Sequence, residues 1–292
     1  MSPVYKFSQA GSLTTSRVDY SSMLAGNTAY NPNPSVDILV VAGGGSGFIG
    51  KTSTYYGAGG GAGEVKSAAN QTLVLGTTYS VTVGPGGAAV NNGSLDVNGN
   101  SGLSSAFGSI IPSTNGGGGG LWNTGTGGSS GNGFTGGGPN GSACGGGAGS
   151  GANGSTAPNS TTGGAGGTGV STITGIGDFS SWLTATSSGS SGKIAGGGGG
   201  SANNLQSSGG AGGAGGGGTT VGGTNFNGGV NTGSGGSGGF YLANNSGAGG
   251  SGIVIIRIPG SYTAQTTTGS PTRVESGGFT YYKFTGDGSI KI

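Results

Sequence analysis

From Gly116 to Gly250 the chain is a patchwork of short glycine runs such as GGAGGAGGGG and GGSGG. With 81 glycines in 292 residues, essentially no α-helix is expected, because glycine is a poor helix former and weakens strand interiors. Collagen is excluded as well, since the spacing is not a strict triplet and proline is scarce. A β-solenoid would show regular apolar rungs, and none are present. Three readings remain. The runs form a bundle of polyglycine helices of polyproline-II type, or irregular ordered loops on a β base, or a disordered tract. The first is favoured. Such a helix has no internal hydrogen bonds, so its N–H and C=O groups point outward to neighbours, and runs of bare glycine let those neighbours approach. Ala and Ser in the AGGAGG rhythm then mark outer faces, and Asn153, Pro158 and Asn225–Asn227 mark turns.

Strand signals frame this zone. VDILVVA (36–42) and GIVIIRI (252–258) are apolar on both faces, which predicts strands covered on both sides. As the two ends of one long insertion, they are expected to pair. TTYSVTV alternates, with Tyr79, Val81 and Val83 on one face and Thr78, Ser80 and Thr82 on the other. QTLVL, SAFGSII and TYYKF are shorter candidates. No segment carries a convincing helical stripe. The nearest is DYSSMLAGN, a single turn capped by Asp19 or Ser21 and stopped by Gly26. The expected fold is an all-β base of short antiparallel strands with essentially no α-helix and a glycine-rich insertion.

Gly45, Gly50, Lys51 and Thr52 satisfy the P-loop pattern, and Gly45, Gly47 and Gly50 the dinucleotide pattern. In so glycine-rich a chain these matches carry little information. The context is also wrong. A P-loop needs a helix starting at its lysine, and here Tyr55 and Tyr56 lead straight into another glycine cluster. No acid about 20 residues later closes a second strand to hold a ribose. The match over Gly45–Thr52 is therefore read as accidental, with no nucleotide bound.

Nine basic and seven acidic residues give a net charge of +2. The basic residues are scattered, with no stripe for nucleic acid. There is no histidine, which removes the commonest general base and metal ligand. The seven acids are isolated from one another in sequence. Cys144, the single cysteine, has no histidine to activate it and reads as a small filler. The expectation is no enzyme, no cofactor and no metal site. The N-terminus does not read as a signal peptide, and the longest apolar run is too short to span a membrane.

Three zones organise the chain. Residues 1–34 end in NPNP, an extended boundary. Residues 35–258 form the glycine-rich domain, with β base at 35–112 and 251–258 and a polyglycine zone at 113–250. Residues 259–292 form a C-terminal β-hairpin region that packs on the base. YKFSQAGSL (5–13) and YKFTGDGSI (282–290) share five of nine positions. Asp287-Gly288 signals a two-residue hairpin, so both chain ends are candidates for the same hairpin.

The order ILVVAGGG, GTTYSVTVGPGG, SSAFGSI before GGGGG, the glycine patchwork, GAGGSGIVIIRIPG and YYKFTGDGSI resembles the glycine-rich domain of tail-fibre and related virion proteins of tailed phages. The resemblance covers about residues 35–292, and it lacks the coiled-coil heptads or repeated shaft of a long fibre. It implies a structural virion protein exposed on the particle surface, most naturally a tail fibre or tail-tip adhesin that binds a host surface glycan or protein. A capsid decoration or head-fibre protein shares the same features. An ice-binding or cell-wall glycine-rich protein is the remote alternative. A homo-oligomer is compatible, and neither nucleic acid nor membrane insertion is expected. Residues 1–34 are the candidate docking segment to other virion proteins, through Arg17, Asp19, Tyr20, Met23 and Leu24. Aromatic residues beside small polar ones suit surface recognition. Trp122, Asn123, Phe134, Phe179, Trp182, Phe240 and Tyr241 are accordingly the receptor-binding candidates. The competing reading is that these rings plug gaps in the bundle or pack on the base.

Overall fold

The computed structural model describes residues 33–50, 56–91, 97–202, 209–221, 226–239 and 245–292. Among these residues the fold is all-β with one short helix. The strands are β1 (Ser35–Val41), β2 (Val65–Thr72), β3 (Thr78–Thr82), β4 (Ala106–Phe107), β5 (Thr172–Ile173), β6 (Gly177–Asp178), β7 (Ile253–Pro259), β8 (Thr266–Thr268), β9 (Thr272–Ser276), β10 (Phe279–Phe284) and β11 (Gly288–Lys291). The helix, α1, spans Ser180–Ala185. Five strands form one antiparallel sheet in the order β2-β1-β7-β10-β9, and four form a second in the order β4-β3-β11-β8.

The two apolar strands at the ends of the insertion do pair, Val41 opposite Ile253 and Asp37 opposite Arg257. Both are covered on each face, as their unbroken apolar sequence requires. Val36, Ile38 and Val40 of β1 and Val254, Ile256 and Ile258 of β7 meet Val81, Phe107, Phe284 and Ile290 between the sheets. Leu39, Val41, Ile253 and Ile255 face the other way, onto Phe179, Trp182, Leu183 and Ile194. The base thus has three layers, and the third is the excursion 171–194 that carries β5, β6 and α1. Across β3 and the residue after it, Val81 and Val83 are buried while Thr78, Ser80 and Thr82 are exposed, the alternation its sequence shows.

The C-terminal hairpin is displaced from the Asp287-Gly288 signal. β9 and β10 form the hairpin, around Gly277 and Gly278, both at positive φ, as a two-residue turn of the primed type needs. β10 and β11 lie in different sheets. Asp287 sits at the crossing, where its Oδ1 accepts the Val83 N–H at 2.8 Å. The related segment 5–13, the single turn at 19–27 and the docking candidates Arg17, Asp19, Tyr20, Met23 and Leu24 lie outside the described residues.

The glycine runs start at once where β1 ends, earlier than residue 113, and return between strands. They are built on one hydrogen-bonding rule. In run 57–64, Gly59 and Ala62 donate to Gly145 and Ala148, Gly60 and Gly63 to Gly236 and Gly233, and Gly61 and Glu64 to Gly118 and Asn115. Its carbonyls accept from Phe48, Gly45 and Ala42, from Gly128 and Gly131, and from Ser201 and Gly198. The partner changes with every residue and recurs every third residue, so this run has six neighbours. Runs 42–49, 143–150, 195–201 and 233–239 follow the same rule. Backbone groups buried without strand ladders are satisfied in this way. Most glycines here are required for closeness, not for unusual φ: a Cβ on Gly60 would strike the Gly45 carbonyl, and one on Gly147 the Gly60 carbonyl.

Candidate binding surface

Outward and return runs alternate, and their register defines two ends of the lattice. Ala42 pairs with Glu64 beside the base, Gly45 with Gly61 midway, and Phe48 with Ala58 at the far end. At that far end lie the turns closed by Leu121 and Thr126, by Asn140 and Ala143, and by Asn159 and Thr162. Gly50 and Tyr56, Asn91 and Val97, Ala202 and Gly209, Val221 and Phe226, and Gly239 and Asn245 lie there too.

These turns escape the lattice rule and carry side chains. Asn123, Asn140, Asn159, Ser160 and Thr161 are exposed. Asn159 Oδ1 accepts from the Thr161 N–H and hydroxyl. Asn140 Nδ2 reaches the Pro158 carbonyl at 3.3 Å and ties two turns together. Val97, Leu121 and Val221 are exposed apolar residues at the same end. The charged side chains among the described residues all belong to the base, its turns or the excursion 171–194. The described end surface is therefore neutral, with amides and hydroxyls beside apolar groups. Such a surface can hydrogen-bond and stack on an uncharged ligand.

The sequence candidates divide. Trp122 is at the far end, half-buried on Phe48, Ala58 and Cys144, and its N–H donates to Asn98 Oδ1 at 2.8 Å. Asn123 is exposed beside it. Phe134 is half-buried at the opposite end, where its carbonyl accepts the Ser130 N–H. Phe179 and Trp182 are fully buried beneath the five-stranded sheet, so as receptor contacts they are corrected: their apolar rings close the third layer of the core. Phe240 and Tyr241 lie outside the described residues. The exposed asparagine turns were not among the sequence candidates, although Pro139-Asn140-Gly141-Ser142 and Pro158-Asn159-Ser160-Thr161 carry ordinary turn chemistry.

Most amides of the P-loop match are already engaged. Gly45, Ser46 and Gly47 donate to Gly61, Asn100 and Gly247, and Gly50 donates to Tyr56, so these N–H groups are not available to cradle a phosphate. Lys51 and Thr52 lie outside the described residues. Among the described residues no group of three His, Cys, Asp or Glu side chains is placed to hold a metal. Burial pushes the Cys144 thiol up to about 12, far from the range of a nucleophile.

The glycine-rich domain family model matches residues 23–259, and the chain belongs to that family. No curated protein matches the chain.

Proposed function

We propose that this chain is a structural virion protein of a tailed phage, a tail fibre or tail-tip adhesin whose far-end turns contact the host surface. One observation carries the reading. The fold separates a lattice that admits almost no side chain from end turns that admit nearly any, which suits a rigid stalk presenting variable contacts. Trp122, Asn123, Asn140 and Asn159 are the contacts, and their neutral amide character favours an uncharged glycan or a polar protein loop. Residues 1–34 dock to other virion proteins in this reading. The glycine runs are helices of polyproline-II type, supported by partners that recur every third residue. Amide–Hα couplings that report φ near −75° in the runs, against about −140° for strands, test that part.

The functional test is competition. The purified chain should block adsorption of the particles that carry it. A variant with Trp122→Ala and Asn123→Ala should block at least about tenfold less well, while folding normally. Equal blocking by both proteins, or density for the chain on the capsid lattice in particle images, would sink the reading; the second result would favour a decoration protein.

A further inference from the structure

Two neighbouring runs leave one row of N–H groups without a partner among the described residues. In run 115–121, Gly117 and Gly120 donate to Gly43 and Ser46, and Gly118 and Leu121 donate to Ser129 and Thr126. Gly116 and Gly119 donate to nothing among the described residues. In run 126–131, Gly127 and Ser130 donate to Gly137 and Phe134, and Gly128 and Gly131 donate to Gly59 and Ala62. Thr126 and Ser129 donate to nothing among the described residues. The carbonyls of Gly116, Gly119 and Gly127 likewise accept nothing there. Ser101, on the run alongside, also has an N–H that donates to nothing among the described residues.

Of these residues Ser101, Gly119, Thr126, Gly127 and Ser129 line one trough of about 370 Å³, together with Asn98, Gly118 and Thr135. None of its lining residues is charged. Thr126 and Ser129 place two such donors three residues apart along it, with the Gly119 and Gly127 carbonyls on the two runs beside them. In an extended threefold backbone that spacing is about 9 Å. A ligand that matches must be uncharged, narrow and supplied with N–H and C=O groups at the same repeat.

We propose that the trough is an open position of the lattice that docks an extended, uncharged, glycine-rich segment of a partner protein. The partner backbone would take the unused groups of Gly119, Thr126 and Ser129 as a further run, much as a peptide adds to a sheet edge. The trough reaches the Leu121–Thr126 turn, but the docking uses backbone groups and not the end-turn side chains of the adhesin reading.

The experiment titrates the full isotope-labelled chain with a capped Gly-Gly-Ser-Gly-Gly-Ser-Gly-Gly-Ser peptide and follows amide shifts and hydrogen exchange. The amides of Ser101, Gly119, Thr126 and Ser129 should exchange quickly in the free chain and slow at least about tenfold at saturation. A variant with Ser101→Trp and Thr135→Trp fills the trough from two exposed positions, so it should fold and bind at least about tenfold more weakly. No shift up to roughly 5 mM peptide, unchanged binding by the filled variant, or the same amides responding to a neutral oligosaccharide and not to the peptide would each overturn the proposal.

Discussion

The Arg257 guanidinium lies 4.5 Å from the centre of the Trp182 ring and 4.4 Å from that of Phe279. Its Nη2 donates to Asp37 Oδ2 at 2.6 Å. The cation thus joins the central strands β1 and β7 to the helix layer beneath them. Asp37 sits at a register shift in β1, where its other oxygen accepts the Asn70 N–H at 2.8 Å. Removing the guanidinium leaves a largely buried carboxylate without its partner. Arg257→Ala should destabilise the fold by about 2–4 kcal/mol, from the lost ion pair and ring contacts together. Asp37→Asn should destabilise it by less, because an amide oxygen still serves Asn70. Denaturant midpoints of the two variants measure the order.

Trp182 is a core residue, and its substitution should read out as stability. Its ring packs edge-on to Tyr281 at 6.3 Å, and its Nε1 is buried with no hydrogen-bond partner. Trp182→Ala should cost about 3–5 kcal/mol through the cavity it leaves. Trp182→Phe should cost less, since it keeps much of the volume and removes the orphaned donor. Under conditions where the variants stay folded, surface binding should match the parent chain. Paired melting and adsorption assays check both halves, and a stable Trp182→Ala chain with lost adsorption would contradict this placement.

Two adjacent glycines give the sharpest test of the lattice. A Cβ on Gly137 would run into the Ser155 carbonyl, whereas one on Gly138 meets only Thr156 Oγ1 at 3.9 Å. Neither residue is at positive φ. Gly137→Ala should destabilise by about 3 kcal/mol or more, because backbone on both sides must move. Gly138→Ala should be neutral or slightly stabilising through the unfolded chain. Similar melting temperatures for the two variants would refute the close packing of run 134–139.

The strand frame was legible in the sequence because β1, β7 and β3 carry their burial in their residue pattern. β2 was not, since VKSAANQT at a sheet edge is mostly half-exposed and shows no apolar run. α1 escaped because SSWLTA is shorter than any periodic stripe and exists only to bury Trp182 and Leu183. That same burial removes Phe179 and Trp182 from the candidate binding surface: a ring in a glycine-poor stretch looks identical in sequence whether it faces solvent or core. The lattice edge did leave a trace. In run 97–105 the inward positions are Gly99, Gly102 and Ser105, with exposed residues between them. That threefold spacing separates an edge run from the continuous glycine of interior runs. The assignment of runs to neighbours had no trace, because it depends on backbone groups that every glycine shares.

Cys144 supplies a pH-dependent term. It is buried against Phe48, Ala58 and half-buried Trp122, and its thiol is raised from 9.0 to about 12, chiefly by burial and against smaller opposing hydrogen bonds from the Gly57 and Tyr56 backbone. Below pH 9 the thiol is protonated in both folded and unfolded chains, so its contribution is fully present and constant. Between about 9 and 12 the unfolded chain releases the proton while the folded chain keeps it. Stability must therefore fall as pH rises through that window. Cys144→Ala should remove the fall, at some loss of stability near neutral pH from the smaller side chain. Denaturation midpoints measured from pH 8 upward in both proteins test this. In parallel, a thiol reagent should modify the native chain only at the rate of local opening, because the thiolate that reacts is nearly absent from the folded state. Fast labelling at pH 8 without unfolding would show that the far end of the lattice around Trp122 is open to solvent, against the packing described here.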